Sequence, residues 1–148
     1  AYLAPAAFGL ARVRAARGEI DEAVAALDLV PASSRSYVEA RRLRAELLCT
    51  SDDTTLPTLD QAMQSIEGVP LGTTDRETLV SRILERALQI VTTKGPQQGS
   101  VGPFEVQEPA LRDALETSYR ELAKDSVTVE DRIDLVNRAN TVRSWTLR

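Results

Sequence analysis

Apolar residues recur at helical spacing along nearly the whole chain, and glycine and proline cut that pattern into short segments. A short amphipathic helix is marginal alone in water, so each segment must lay its apolar stripe on a neighbour. This requirement points to paired helices. No stretch alternates cleanly with period two between turns, so strands are not predicted.

Seven helices follow from this pattern. In the first, Leu3, Ala7, Leu10, Ala11 and Arg14 share a stripe widened by Val13, and Gly18 sits where a left-handed cap belongs. The second runs from about Glu19 to Val30, acid-rich at its start and stopped by Pro31. Ser36 and Glu39 read as a capping box for the third, which carries Val38, Leu43, Leu47 and Leu48 to about Cys49. Thr58 with Gln61 opens the fourth, with Leu59, Ala62, Met63 and Ile66 before Gly68 and Pro70. Thr74 with Glu77 opens a longer fifth, whose broad apolar face includes Leu79, Ile83, Leu84, Ala87, Leu88 and Val91.

Between Lys94 and Glu108, five glycines and prolines forbid regular helix and mark the longest loop, with Phe104 and Val106 expected to pin it to the body. Pro109 then takes the first turn of a sixth helix bearing Leu111, Leu115, Ser118, Tyr119, Leu122 and Ala123. The seventh begins at Thr128 with Asp131, and Val129, Ile133, Val136 and Asn140 form its expected apolar stripe. Tyr119, Asn137 and Asn140 read as interhelical hydrogen-bonding groups, with a contact surface as the alternative.

Composition narrows the chemistry. The 148 residues include no histidine, which removes Ser-His-Asp triads, Cys-His dyads and imidazole ligands. Cys49 is the only cysteine and reads as a small core residue, and no apolar stretch is long enough to span a membrane, so a cytoplasmic location is expected. A net charge of -4 argues against a general nucleic-acid binder. No cofactor or metal is expected in these residues. Since residue 1 is alanine and the only methionine is Met63, the chain is expected to be a piece of something longer.

Leu10 and Ala11 in the first helix, Gly18 at the turn, Ala23 and Leu27 in the second helix, and Pro31 after it make a pattern that resembles a tetratricopeptide repeat. Small residues stand where the helices cross, as close approach requires. Ala7 and Arg14 replace the usual aromatics, and the second pair matches more loosely, with Ala40 and Ala62 as its small residues. The resemblance implies an all-α, tetratricopeptide-like array of antiparallel αα-hairpins in a right-handed superhelix. Residues 1–148 are expected to form one such domain: repeat-like hairpins over 1–93, the loop over 94–108 and a final helix pair over 109–148.

The run from Ala110 to Ala123, the Asp131 to Asn140 segment with its Val-x-Arg-Ala-Asn, and the Pro-x-Ser-Ser-x-x-Tyr-x-x-Ala-x-x-Leu stretch from Pro31 to Leu43 resemble the carboxyl-terminal tetratricopeptide domain of actinobacterial protein kinase G. The chain lacks the Gly-rich loop, His-Arg-Asp, Asp-Phe-Gly and Cys-x-x-Cys motifs of the catalytic and metal modules. The resemblance thus implies a non-catalytic regulatory domain, with ATP and a divalent metal belonging to the parent kinase domain. It implies partners as well: the kinase domain of the same chain, a second copy forming a homodimer, or a forkhead-associated-domain substrate. A peptide-binding adaptor, or the helical activation domain of a transcriptional regulator, is the alternative.

In a stacked array the first helix of each pair lines a concave side. Repeat spacing puts Phe8 and Arg12, then Tyr37, Arg41 and Arg44, then Arg82 and Arg86 on or near that side. Such an arginine row would suit an acidic or phosphorylated peptide. Solvated arginines paired with neighbours such as Glu39 and Glu85 are the alternative reading. Trp145 is expected either to anchor an interface or to fold back over the last helices.

Overall fold

A computed structural model describes residues 3–144, so Trp145 lies outside the described residues. Seven α-helices appear among them: α1 (Leu3–Ala16), α2 (Ile20–Leu27), α3 (Tyr37–Thr50), α4 (Leu56–Ile66), α5 (Thr73–Lys94), α6 (Glu108–Lys124) and α7 (Val129–Val142). The fold is all-α and built of paired helices, consistent with a tetratricopeptide-like array. The chain divides into two compact units, Ala1–Leu71 and Gly72–Arg148. The long helix α5 falls in the second.

In the first unit α1 packs on α2 and α3 on α4, while α2 also meets α3. Ala7, Ala11, Ala23, Ala26 and Ala40 are buried together with Leu27 and Val30, and Phe8, Leu43 and Leu47 close over them. Alanine at the crossing lets the helices approach closely. Between α1 and α2, Gly18 adopts a φ of 75°. Its N–H bonds to the Ala15 carbonyl and the Glu19 N–H reaches back to Arg14, closing α1 with the left-handed turn that only glycine adopts at no steric cost. Leu10 is an exception to the expected stripe. It is exposed, with Leu3 and Val13, while Ala7 and Ala11 make the contact.

The second unit packs α6 between α5 and α7. Leu79, Ile83, Leu84, Ala87 and Val91 bury one face of α5, and Leu111, Leu115, Ser118, Tyr119 and Ala123 one face of α6. The buried Ser118 hydroxyl is satisfied by α5, bonding to the Glu77 carboxylate at 2.8 Å and its carbonyl at 3.2 Å. The loop before α6 holds two residue pairs of antiparallel ladder, β1 (Ser100–Val101) and β2 (Phe104–Glu105). Gly102, with φ 57°, turns this hairpin; Val101 and Val106 are buried, and β2 lies against α6. Two-residue strands are too short for any periodic signal.

Helix starts depart from the expectation in three places. Ser36 precedes α3, but its side chain caps nothing, and Glu39 bonds to Arg42 instead. The cap of α4 is Thr55, whose hydroxyl accepts the Thr58 N–H, with Pro57 in the first turn. Gly72 precedes α5. Thr128 does cap α7, accepting the Asp131 N–H at 3.1 Å.

Helix α7 buries only part of the expected stripe: Val136 is half-buried beside Leu135 on the inward side. Ala139 and Val142 are buried, whereas Val129, Ile133 and Asn140 are exposed. The physical reason is size: Ala139 permits a closer approach to α6 than the branched side chains of the other stripe.

Candidate functional site

The arginines expected to line a groove take several kinds of position. On α1, the exposed Arg12 stands over the half-buried Phe8, its guanidinium carbon 6.0 Å from the ring centroid. Arg41 stands likewise over Tyr37 at 5.9 Å. Arg82 is exposed and Arg86 half-buried on α5, in the other unit.

Arg41 and Arg44 direct their donors into their own unit. Arg41 gives Nε to the Ser65 carbonyl at 2.8 Å and Nη2 to Gln64 at 3.3 Å. Arg44 bonds through Nη1 to the Ser65 hydroxyl at 2.6 Å and through Nε to Asp28 at 2.9 Å. Asp28 follows the last turn of α2 and also lies 3.9 Å from Arg41. The Gln64 carbonyl already accepts the Glu67 N–H at the end of α4, and the Arg41 guanidinium fork adds a donor there while supplying the Ser65 carbonyl. The result is a polar clasp joining α2, α3 and α4. Carbonyls more than twenty residues away carry no signature in the sequence.

Nearby charges match this local pairing. Arg42, hydrogen-bonded to Glu39, holds that carboxyl below its ordinary range, and Arg12 adds to the effect.

In the second unit the surface of α6 facing α5 and α7 is hollowed at three separate places. Three hollows of about 370, 340 and 390 Å³ follow one another and share Arg112. Leu88, Leu115, Tyr119 and Val142 provide apolar surface, while Arg138 and Arg143 stand on the α7 side. Arg112 bonds to Glu108 at 2.9 Å and to the Val142 carbonyl at 3.3 Å, closing the end of α7. The Tyr119 hydroxyl donates to Glu85 across α5 and α6. Burial, and then that carboxylate, raise the Tyr119 phenol well above its usual range, so it stays a donor. Arg120 reaches Asn140 at 3.0 Å. Tyr119 and Asn140 are thus the interhelical hydrogen-bonding groups their spacing suggested, and Asn137 lines the hollow between α6 and α7.

A second exposed feature lies on the outward side of α7. Val127, just before the helix, is 98% exposed, and Val129 and Ile133 on it are 64% and 55% exposed, leaving large aliphatic side chains in solvent. Cys49 is buried, as a core residue should be. Among the described residues, no group of three or more His, Cys, Asp and Glu side chains is placed to hold a metal. No described helix is long and apolar enough to cross a membrane.

Comparison with known proteins places these features in a family context. The model for the protein kinase G tetratricopeptide repeat matches residues 2–146. The chain is 32% identical over 141 residues to serine/threonine-protein kinase PknG of Mycolicibacterium smegmatis, a match covering 93% of this chain and 19% of that relative. It is 34% identical over 143 residues to serine/threonine-protein kinase PknG of Mycobacterium leprae, covering 93% of this chain and 18% of the relative. The chain therefore spans about a fifth of the length of these relatives.

Proposed function

The chain belongs to the protein kinase G tetratricopeptide repeat family, and from that premise we propose that it is the non-catalytic interaction and regulatory domain of a cytoplasmic Ser/Thr protein kinase, standing on the carboxyl side of the catalytic domain. Its work is to hold polypeptide: to pair with a second copy, to dock on its own kinase domain and to recruit a forkhead-associated-domain substrate. ATP and a divalent metal belong to the catalytic domain. Kinase catalytic motifs do not occur in these residues, and tetratricopeptide domains generally serve protein–protein contact.

The observation that carries this reading is the set of exposed aliphatic side chains Val127, just before α7, and Val129 and Ile133 on it. Helices of repeat arrays bury their apolar stripes on a neighbour, so an outward apolar strip calls for a partner surface. Here three large aliphatic residues face outward together, a pattern that marks contact sites on soluble proteins. We assign self-association to this strip, in a symmetric pair that covers both copies at once.

Sedimentation velocity tests the assignment. The parent chain should sediment as a dimer, and Val129→Asp with Ile133→Asp should convert it to a monomer with unchanged helical circular dichroism, because both positions are exposed. A monomeric parent, or a dimer indifferent to both aspartates, would remove self-association from the strip.

A further inference from the structure

We infer that the surface covering the α7 strip is the outer stripe of α1 in a second copy of the chain, with the two helices antiparallel. This inference rests on the self-association reading above and names the other half of that contact.

The stripe on α1 comes first. Apart from Arg12 and Arg14, every residue of Leu3–Ala16 is apolar or glycine. A helix that is apolar on nearly all sides is ordinarily covered on nearly all sides. Ala7 and Ala11 supply the buried face, and α2 packs against the helix. Leu3, Ala6, Leu10 and Val13 make a second stripe, and all four are exposed. Their spacing of three, four and three residues is that of a coiled-coil seam, which stays in line with a partner helix. Gly9 and Ala16 beside it are also exposed, so little bulk holds a second helix away.

Helix α7 carries a matching pattern. Val129, Ile133, Val136 and Asn140 are spaced four, three and four residues apart, with Val129 and Ile133 exposed and Val136 half-buried. Set antiparallel, Val13 meets Val129, Leu10 meets Ile133 and the small Ala6 faces Val136, along about 15 Å of each helix.

Charge fixes the direction. Arg14 is held by Glu19 at 2.7 Å and Arg12 stands over Phe8. Arg17, one turn beyond Val13, is exposed, and its side chain has no hydrogen bond or ion pair among the described residues. The carboxylates of Glu130 and Asp131, in the first turn of α7, are likewise unpaired there, whereas Asp134 is taken by Arg138 at 3.0 Å and Arg132 turns to the Ser126 carbonyl. Antiparallel packing brings Arg17 to Glu130 and Asp131 and sets opposed helix dipoles side by side. Parallel packing would leave those acids beside the first turn of α1, which has no charge to meet them. Two α1 stripes packed together would offer Arg17 no acid, because α1 contains none. In a symmetric pair each strip covers α1 of the other copy, so each residue's contact is made twice.

Sedimentation equilibrium of the 148-residue chain at low ionic strength tests the assignment. Leu10→Glu with Val13→Glu should convert the dimer to a monomer, as the strip aspartates do, with unchanged helical circular dichroism. Arg17→Glu should raise the dimer dissociation constant about tenfold or more, and so should Glu130→Arg with Asp131→Arg. A chain carrying all three reversals restores opposite charges across the contact and should recover most of the loss. This last comparison reads charge pairing directly and does not depend on the glutamates placed in the stripe.

A dimer that survives the Leu10 and Val13 glutamates, while the strip aspartates abolish it, would overturn this inference and leave self-association through the strip standing. So would an Arg17→Glu chain that dimerises like the parent, or three reversals no better than the α7 pair alone. A monomeric parent, or a dimer indifferent to the strip aspartates, would overturn both readings.

Discussion

Arg41 on α3 donates its Nε proton to the carbonyl of Ser65, 24 residues away and in the last turn of α4, at 2.8 Å. Helix α4 has no basic residue in that turn, so a neighbouring helix supplies both the donor and the positive charge favoured at a helix C-terminus. The second unit repeats the device: Arg112 of α6 donates to the Val142 carbonyl at the end of α7, whose last turn also lacks a basic residue. In both units, one helix of a pair closes the open end of the next.

Removing this clasp should cost stability. Arg41→Ala leaves the Ser65 and Gln64 carbonyls without the guanidinium, and a loss of about 1 to 3 kcal/mol is expected for hydrogen bonds from a charged donor. Arg41→Lys should recover only part, since an ammonium cannot present the planar fork. Urea unfolding measures both. Lys124→Ala, which breaks only an exposed surface pair with Glu121, should leave the midpoint where it was.

Two helix starts with the same sequence signature should respond differently. Thr128 accepts the Asp131 N–H at 3.1 Å, so Thr128→Ala should destabilise the chain by about 1 kcal/mol. Ser36 makes no side-chain cap to α3, so Ser36→Ala should change stability by less than about 0.5 kcal/mol. Equal losses in a thermal or urea melt would contradict the geometry at one of the two ends.

The contrast shows what could be read in advance. Helix existence followed from periodicity and from Gly and Pro: all seven helices occur, Gly18 closes α1 in the left-handed region, and Pro109 sits in the first turn of α6. Exact starts were less legible, because several Ser and Thr residues near each boundary satisfy the same local rule. Thr55 won over Thr58 because Pro57 fits the first helical turn. The α7 stripe was right only at Val136, because where the inward face turns along the helix depends on the neighbour. The arginine row was legible as residue types, yet Arg41 and Arg44 found backbone and hydroxyl acceptors on α4 that no spacing rule announces. The hollows along α6 depend on how α5, α6 and α7 pack, which periodicity does not specify.

The Tyr119 hydroxyl gives an alkaline test. Its phenol titrates well above the ordinary value of 10.0, first through burial and then through the hydrogen bond to Glu85. The unfolded chain therefore loses the proton at lower pH than the folded one. Stability from this group is complete below pH 10, and falls as pH rises from there toward the folded value. Tyr119→Phe should lower stability at neutral pH by about 1 kcal/mol or more, since Glu85 loses its donor in a half-buried setting. It should also flatten the decline above pH 10, when urea midpoints of parent and variant are followed across that range.

The contact between α1 and α2 yields a final prediction that separates the two members of the Leu10 and Ala11 pair. Ala11 and Ala23 are both 0% exposed, so enlarging either has no free volume to use. Ala11→Leu and Ala23→Leu should each destabilise by about 1 to 3 kcal/mol, through displaced helices or strained side chains. Leu10 is 45% exposed, and Leu10→Ala should cost well under 1 kcal/mol in an isolated chain. Denaturant midpoints decide the order. If Leu10→Ala proves as damaging as Ala11→Leu, the large residue rather than the small one carries the helix crossing, and the packing described for the first unit is wrong.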